Sequence, residues 1–217
     1  MRRAMILAAG RGERMGELTA SVPKPLLRVN GRYLIEYAIA SIKQAGINEI
    51  VINLSWHGDQ IQAALGNGSE YGVNIFYSEE PERLETGGGI LKALPLLGSE
   101  PFIVMSSDIV TDYPLEKLPK TLSGLAHIVM VDNPLYHIHG DYGLQNEKVM
   151  LQANKTFTHA NIGVYSPDLF RGCTPGHFRL TQVLNPAIVA DQVTGEHYQG
   201  HWRNIGTKAD IVAGDSA

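Results

Sequence analysis

The strongest chemical signal in the sequence is a glycine-rich segment near its beginning. An apolar stretch ends in Leu7-Ala8-Ala9-Gly10, and a second glycine, Gly12, follows it. Two cations come next, Arg14 and then Lys24, which lies within Pro23-Lys24-Pro25-Leu26. Glycines after a strand let backbone N–H groups approach a polyphosphate closely, and the two cations supply countercharge. The segment therefore indicates a phosphate-binding loop.

Two familiar phosphate loops do not fit this segment. The P-loop pattern requires Gly-Lys-Ser/Thr at the end of the loop, and this sequence lacks it. The dinucleotide pattern G-x-G-x-x-G fails because Met15 stands at the third glycine and because no acid follows the second predicted strand, which ends near Asn53. A dinucleotide-dependent oxidoreductase is therefore disfavoured. On the glycines alone, a tight strand–helix connection without a ligand stays open.

Two further segments carry groups that could meet such a ligand. Asp108 follows the apolar run Phe102–Met105, so its carboxylate is expected at the carboxyl edge of a sheet, where open α/β folds bind ligands. A lone aspartate there is also a common turn residue. A predicted helix is preceded by the segment Glu85-Thr86-Gly87-Gly88-Gly89. The backbone amides of this segment and the Thr86 hydroxyl could face a nucleobase or ribose. A plain helix entry would give the same pattern.

The elements that must position these residues alternate between strand and helix over the first half of the chain. The apolar periods predict the strand Ala4–Ala9, the helix Leu34–Ala45, the strand Ile50–Leu54, the helix Ile61–Leu65, the strand Val73–Tyr77, the helix Ile90–Leu97 and the strand Phe102–Met105. This order requires right-handed crossovers and a sheet covered on both faces. We expect an α/β, Rossmann-like, mostly parallel sheet with helices on both faces.

Beyond Asp112 the pattern changes to short strands separated by turns. The strand candidates are Ala126–Val131, Lys148–Gln152 and Asn161–Tyr165. They predict a small antiparallel extension of the sheet. Thr181–Ala190 is a candidate helix that Pro186 should break or kink, and a final short helix is expected after Thr207. No repeat, low-complexity tract or linker marks a boundary, so residues 1–217 are expected to form one domain.

The composition disfavours several classes of partner. The net charge is −4, from 18 basic and 22 acidic residues, so a broad attraction to nucleic acid or to an anionic membrane is not indicated. The one cysteine, Cys173, cannot form an intramolecular disulfide. Only about six apolar residues follow Arg3 before Gly10, too few for a signal segment. We expect a cytoplasmic protein that is a monomer or a small homo-oligomer.

The chain resembles the sugar-1-phosphate nucleotidyltransferase family over nearly its whole length. The motifs that carry this resemblance are the G-x-G-x-R-M loop, Pro23-Lys24-Pro25-Leu26, Asp108 and Trp202-Arg203-Asn204-Ile205-Gly206-Thr207. This resemblance implies the nucleotide-diphospho-sugar transferase fold. It also implies a Mg²⁺-dependent reaction in which a nucleoside triphosphate and a sugar 1-phosphate give an NDP-sugar and pyrophosphate. Within the family, the chain most resembles uridylyltransferases that act on N-acetylmuramate 1-phosphate in cell-wall sugar recycling. The segments that carry this second resemblance are 84–89, 111–113, 131–134 and 195–198.

The resemblance implies roles for particular residues. Those that would bind the nucleotide are Leu7, Ala8, Ala9, Gly10, Gly12, Glu85, Thr86 and Gly87. Arg14 and Lys24 would stabilise the phosphates and the departing pyrophosphate, and Asp108 would hold Mg²⁺. Asn161 replaces a small glycine of the family and would contact the sugar. No catalytic base is required, because the second pKa of the sugar phosphate is about 6 and its oxygen is already largely ionised at neutral pH.

One departure from the family pattern concerns the second metal ligand. Asn204 stands where the family usually has an aspartate, and its amide oxygen can coordinate Mg²⁺ but brings no charge. A unit charge at contact range is worth on the order of 4 kcal/mol at an effective dielectric of about 20, so weaker metal binding or reduced turnover is expected. A catalytically weakened nucleotide-binding protein therefore stays open. Mannose-1-phosphate guanylyltransferase and glucose-1-phosphate nucleotidyltransferase activities also stay open, since the base and the sugar are not legible in the sequence.

Overall fold

The computed structural model describes residues 3–214, without the side chains of residues 213 and 214. Its helices are α1 (Leu34–Gln44), α2 (Gly58–Leu65), α3 (Glu85–Leu97), α4 (Thr181–Val189) and α5 (Lys208–Gly214). Its strands are β1 (Arg3–Leu7), β2 (Arg28–Val29), β3 (Arg32–Tyr33), β4 (Glu49–Leu54), β5 (Asn74–Glu79), β6 (Phe102–Ser106), β7 (Ile109–Thr111), β8 (Ala126–Val131), β9 (Tyr142–Gln145), β10 (Lys148–Met150), β11 (Thr156–Tyr165), β12 (Val193–His197) and β13 (Trp202–Asn204). Between residues 3 and 214, no helix combines the length and the hydropathy needed to cross a bilayer.

Nine strands form a mixed sheet in the order β5-β4-β1-β6-β11-β8-β12-β10-β9. The four strands β5, β4, β1 and β6 run parallel to one another. From there β11 is antiparallel to both β6 and β8. The expected Rossmann-like parallel sheet is confirmed. The remaining strands continue the same sheet in mixed orientation, since β12 is parallel to β8 and antiparallel to β10. They form a larger part than the small antiparallel extension predicted, because β9 and β12 were not recognised as strands.

The strands bury alternate side chains on the two faces of this sheet. In β1, Ala4 and Ile6 join the hydrophobic cluster on one face, whereas Met5 joins the cluster on the other. Helices α1 and α2 cover the first face and α3 and α4 cover the second. Helices on both faces are therefore confirmed, and every strand that carries a site residue at its end is fixed by packing on two sides.

Two helix predictions need correction. The helix expected over Ile90–Leu97 begins five residues earlier, at Glu85, so the glycine triplet lies inside α3 and not in a loop before it. Pro186 neither ends nor interrupts α4, which continues to Val189. A proline at the sixth position of a nine-residue helix removes a single ladder hydrogen bond, and the buried Leu184, Ala187 and Ile188 hold the helix on the sheet. The final helix expected after Thr207 is confirmed as α5.

Candidate active site

The candidate site lies at the carboxyl ends of the parallel strands. The chain passes from β1 to β4 and β5 on one side and then returns to β6 on the other side of β1. Such a reversal of strand order opens a crevice beside β1, because the connecting helices leave on opposite faces of the sheet. A cavity of about 340 Å³ occupies this crevice. We call it the loop pocket, after the segment 8–14 that forms much of its wall.

Most of the residues selected from the sequence meet in this pocket. The predicted residues that line it are Leu7, Ala8, Ala9, Gly10, Gly12, Arg14, Lys24, Glu85, Thr86 and Asp108. They come from the ends of β1 and β6, the start of α3, the loop after β1 and, for Lys24, the 3₁₀ turn Lys24–Leu26. Gly87, Asn161 and Asn204 are not among its lining residues.

The conformation of the loop depends on Gly12 and Met15. Gly12 has φ of +67°, and a Cβ on it would lie 3.0 Å from Lys24 Cβ and 3.0 Å from Thr19 Cγ2, so a larger residue would be both strained and crowded. Met15 is buried in a small cluster with Val29, Leu34 and Ile205. The methionine that excluded the dinucleotide pattern therefore anchors the loop to the body of the protein. At Gly10, by contrast, a Cβ would have no atom within 4 Å, so this glycine leaves open space beside the pocket.

A buried hydrogen-bonded chain of polar groups supports the loop from below. The Ala8 N–H donates to Asn53 Oδ1 at 2.9 Å, and Asn53 Nδ2 donates to Glu80 Oε1 at 2.7 Å. Glu80 Oε2 accepts from the Leu84 N–H at 3.1 Å, next to the start of α3. Burial raises the pKa of Glu80, and the hydrogen bond from Asn53 opposes that rise. Sequence analysis missed this pair, although a polar residue within the buried strand β4 was a visible signal.

The glycine triplet allows close packing around the start of α3. A Cβ on Gly87 would lie 2.5 Å from the Phe178 ring, and one on Gly88 would lie 2.1 Å from the Gly176 carbonyl oxygen. A Cβ on Gly89 would lie 2.6 Å from Glu80 Oε1. The three glycines therefore allow the 176–178 segment and the buried glutamate to pack closely against α3. That the Glu85–Gly87 segment also contacts the nucleotide stays a prediction.

Lys24 and Asp108 form an ion pair at the wall of the loop pocket. The Lys24 ammonium group donates to Asp108 Oδ2, and the side chains of the two residues are 10% and 21% exposed. Asp108 lies in the turn between β6 and β7, just beyond the strand end at Ser106. The two charges lie at the carboxyl edge of the sheet, where a cation and a phosphate can both reach them.

Asn204 lies next to Asp108 in the fold but in a different cavity. In the β13–β7 ribbon Asn204 pairs with Ile109, and the Ile205 N–H donates to the Asp108 carbonyl at 2.9 Å. The Asn204 side chain lines a second cavity of about 480 Å³, which we call the side pocket. Its Oδ1 atom is buried and has no hydrogen-bond partner among the described residues. A buried carboxamide oxygen without a partner is a suitable donor for a hard divalent cation.

The side pocket adjoins the loop pocket and has its own wall on the antiparallel part of the sheet. The two cavities share four lining residues, which are Leu7, Arg14, Glu85 and Thr86. Asn161 lines the side pocket at an irregularity of β11, where the register with β8 shifts between His159 and Gly163, and its φ is +57°. The strand break thus presents the Asn161 side chain at a position that a regular strand would not.

The side pocket offers neutral hydrogen-bonding groups on one wall. Burial lowers the pKa of His159 to about 4, so this imidazole is neutral at physiological pH. Its Nε2 lies 3.4 Å from the Tyr165 hydroxyl, and its backbone N–H donates to Asp141 Oδ2 at 2.8 Å. Asp141 Oδ1 lies 2.9 Å from His137 Nε2. The neutral imidazole of His159 and the Tyr165 hydroxyl match the hydroxyl and amide groups of a sugar, and the Asp141 carboxylate on the same wall is engaged by His159 and His137.

Comparisons with known proteins agree with this geometry. A family model described as nucleotidyl transferase matches residues 3–145. N-acetylmuramate alpha-1-phosphate uridylyltransferase of Neisseria meningitidis is 44% identical over 94% of this chain and 93% of its own length. Mannose-1-phosphate guanyltransferase of Aspergillus fumigatus is 30% identical over 98% of this chain, which spans only 63% of that protein. The solved inositol-1-phosphate CTP transferase of T. maritima shares the fold, with a TM-score of 0.83 over 97% of this chain and 91% of its own, at 19% identity. The chain therefore belongs to the family of nucleotidyl transferases.

Proposed function

We propose that this chain transfers a uridylyl group from UTP to N-acetylmuramate 1-phosphate and releases pyrophosphate. The observation that carries the proposal is the junction of two cavities. The loop pocket has backbone and cations suited to a triphosphate. It shares Arg14 with a side pocket in which the His159 imidazole and the Tyr165 hydroxyl suit a sugar. The choice of uridine and of N-acetylmuramate rests on the 44% identity to the Neisseria meningitidis enzyme over almost the full length of both chains.

The reaction needs positioning and charge neutralisation more than a protein base. An oxygen of the sugar phosphate forms a bond to the α-phosphorus of UTP, and the bond from that phosphorus to the bridging oxygen breaks, so pyrophosphate leaves with the electron pair. Because the attacking oxygen is already ionised, no residue has to remove a proton. Arg14 and Lys24 would stabilise the negative charge that develops on the pyrophosphate, and the loop after β1 would hold the triphosphate in line.

The proposal includes Mg²⁺, and the donor set fits it. Asp108 supplies a carboxylate, and Asn204 supplies a buried amide oxygen that lacks a partner within the described residues. Among residues 3–214 no group of three His, Cys, Asp or Glu side chains is arranged to hold a metal, so the remaining ligands would be phosphate oxygens and water. When bound, the cation would neutralise the donor phosphates and polarise the α-phosphorus.

The proposal also covers the setting of the enzyme. We place it in the cytoplasm, in the recycling of cell-wall sugars, and we propose one domain that acts as a monomer or a small homo-oligomer. The supporting observations are the single cysteine and the relative from Neisseria meningitidis. Nucleic acid and membranes are not proposed as partners, because the chain carries a net charge of −4.

The direct test is pyrophosphate release in the presence of Mg²⁺. UTP and GTP are each combined with N-acetylmuramate 1-phosphate, mannose 1-phosphate and glucose 1-phosphate, and each pair is repeated with the metal removed by a chelator. We expect the highest kcat/KM for UTP with N-acetylmuramate 1-phosphate and no release without metal. Preference for GTP with mannose 1-phosphate would contradict the substrate assignment and leave the transferase reaction intact.

The same assay separates an enzyme from a binding protein of the same fold. If no pair releases pyrophosphate while a nucleotide still raises the melting temperature, the chain binds nucleotides without turning them over. The amide at Asn204 would then be the first candidate cause, and the catalytic part of the proposal would fall.

A further inference from the structure

The side pocket contains a cation that the reaction as described does not use. Arg179 lines this pocket from the segment that leads into α4. It is not among the residues that line the loop pocket, so it does not face the triphosphate. Arg14, which lines both cavities, is the cation suited to the reacting phosphates. Arg179 is therefore placed against some other part of the acceptor.

The guanidinium group of Arg179 is unpaired while the acids around it are already engaged. Among residues 3–214 it has no hydrogen-bond or ion-pair partner. The two carboxylates that line the same pocket have other partners: Glu85 pairs with Arg83 at 2.9 Å, and Asp141 accepts from His159 and contacts His137. A guanidinium in a concave site presents a rigid fork of donors that matches a carboxylate, and no described acid occupies it.

The backbone that carries Arg179 is fixed on both sides. The Phe178 N–H donates to the Leu84 carbonyl at 3.1 Å, and the Phe178 carbonyl accepts from the Gly88 N–H at 3.0 Å. The Arg179 N–H donates to Gln182 Oε1 at 3.1 Å, and Leu180 beside it is buried. The base of the side chain is thus held against the start of α3, and a held arginine loses less freedom when it binds an anion.

We propose that Arg179 binds a carboxylate on the acceptor and selects an acidic sugar phosphate over a neutral one. The inference rests on the proposed function and deepens it. N-acetylmuramate carries a lactyl carboxylate in addition to its phosphate, whereas mannose and glucose 1-phosphates carry no second acid. With Arg14 at the phosphate and Arg179 at the carboxylate, two separate cations match the two separate anions of one acceptor.

The test compares two acceptors that differ only in the lactyl ether. Values of kcat/KM for N-acetylmuramate 1-phosphate and N-acetylglucosamine 1-phosphate are measured with the wild type, Arg179→Gln and Arg179→Lys. Arg171→Gln is the matched control, because Arg171 is an exposed arginine of the same segment that pairs with Asp168 and lines neither pocket. Melting temperatures of all variants verify that they are folded.

We expect Arg179→Gln to lower kcat/KM for the acidic acceptor by about 10- to 100-fold, mainly through KM, since a hydrogen-bonded charge pair is lost. The loss for the neutral acceptor should be at least about fivefold smaller, and Arg179→Lys should fall between wild type and Arg179→Gln. The control should keep the wild-type preference. Equal losses for both acceptors, or no loss for either, would overturn the inference while leaving the transferase reaction in place.

A binding measurement keeps the inference testable if the proposed function fails. Should the wild type turn over neither acceptor, calorimetric titration of each acceptor into wild type and Arg179→Gln replaces the kinetics. Tighter binding of the acidic acceptor that is lost in the variant would support the carboxylate site. Equal affinity of the wild type for the two acceptors would refute it.

Discussion

At the scale of single residues, the site depends on polar groups whose partners are incomplete. Asp108 has Lys24, but Asn204 Oδ1 is buried without a partner within residues 3–214. An unsatisfied buried oxygen costs about 1–3 kcal/mol of stability, and a bound cation would offset that cost. The amide therefore has a physical reason to coordinate metal, even though it brings no charge of its own.

Asn204→Asp should tighten Mg²⁺ binding and make stability depend on the metal. The added charge should lower the Mg²⁺ concentration for half-maximal turnover by about tenfold or more. Without metal the new carboxylate replaces a buried amide oxygen that has no partner within residues 3–214, so the melting temperature should fall below that of the wild type and recover when Mg²⁺ is added. Pyrophosphate release over a range of Mg²⁺ concentrations measures the half-maximal concentration, and thermal melts over the same range measure the melting temperature.

Asn67→Asp is the control for that experiment, because Asn67 is exposed and its Oδ1 accepts only from the Ser69 N–H. An aspartate there keeps the acceptor and adds the same charge away from the site. If Asn204→Asp leaves the Mg²⁺ dependence of both readouts unchanged, Asn204 does not touch the metal.

His159→Gln should remove part of the acid sensitivity of the fold. The pKa of His159 falls from 6.5 to about 4 on folding, so the unfolded chain binds more protons between these values. The wild type should therefore lose up to about 3 kcal/mol from this group as pH falls from 6.5 to 4, with the full contribution present above pH 6.5. Urea denaturation at several pH values measures the slope. A variant as steeply pH-dependent as the wild type over this window would show that His159 titrates normally.

At the scale of elements, sequence patterns predicted the parallel strands but not the packing contacts of the glycine triplet. The apolar runs that became β1, β4 and β6 were legible because strands buried on both faces are almost continuously apolar. The triplet Gly87-Gly88-Gly89 looked like a ligand loop because its neighbours, Phe178, Gly176 and Glu80, are distant along the chain or carry no local signal. A glycine in the sequence indicates that another group packs closely against the backbone there, and only the structure shows which group that is.

Gly88→Ala should destabilise the protein, whereas Gly10→Ala should not. The new methyl group at position 88 would lie 2.1 Å from a backbone oxygen of Gly176, which cannot rotate away. We expect a loss of about 2–3 kcal/mol in the free energy of unfolding, despite the helix propensity of alanine. Gly10 has open space and no positive φ, so its variant should stay within about 0.5 kcal/mol of the wild type and lose nucleotide affinity. Urea denaturation measures the stability of both variants, and nucleotide titration measures their affinity for the nucleotide. Similar stability of both variants would contradict the packing role of Gly88.

At the scale of the whole molecule, the two halves of the sheet carry different parts of the site. The loop pocket lies at the ends of the parallel strands, and much of the side-pocket wall lies on β11 and on the segment before α4. The first was predictable, because its residues follow predicted strands or lie in one short loop. Arg179 was not, since an exposed arginine in a connecting segment has no distinguishing local pattern. Only the path of the chain brings it into the same pocket as Arg14.

Because the site is divided between the loop pocket and the side pocket, we expect nucleotide binding in the loop pocket to stabilise the fold independently of Arg179 in the side pocket. A ligand that binds only the folded state at about 100 times its Kd adds about 2.7 kcal/mol of stability. For a chain of this size that corresponds to a rise of about 5–10 °C in melting temperature with Mg²⁺ and UTP. Arg179→Gln should keep the full rise, because Arg179 does not line the loop pocket, whereas Gly10→Ala should lose most of it. Thermal melts with and without UTP measure both. A rise abolished by Arg179→Gln would mean that the two halves of the site are coupled, and that the acceptor side helps to order the loop that holds the nucleotide.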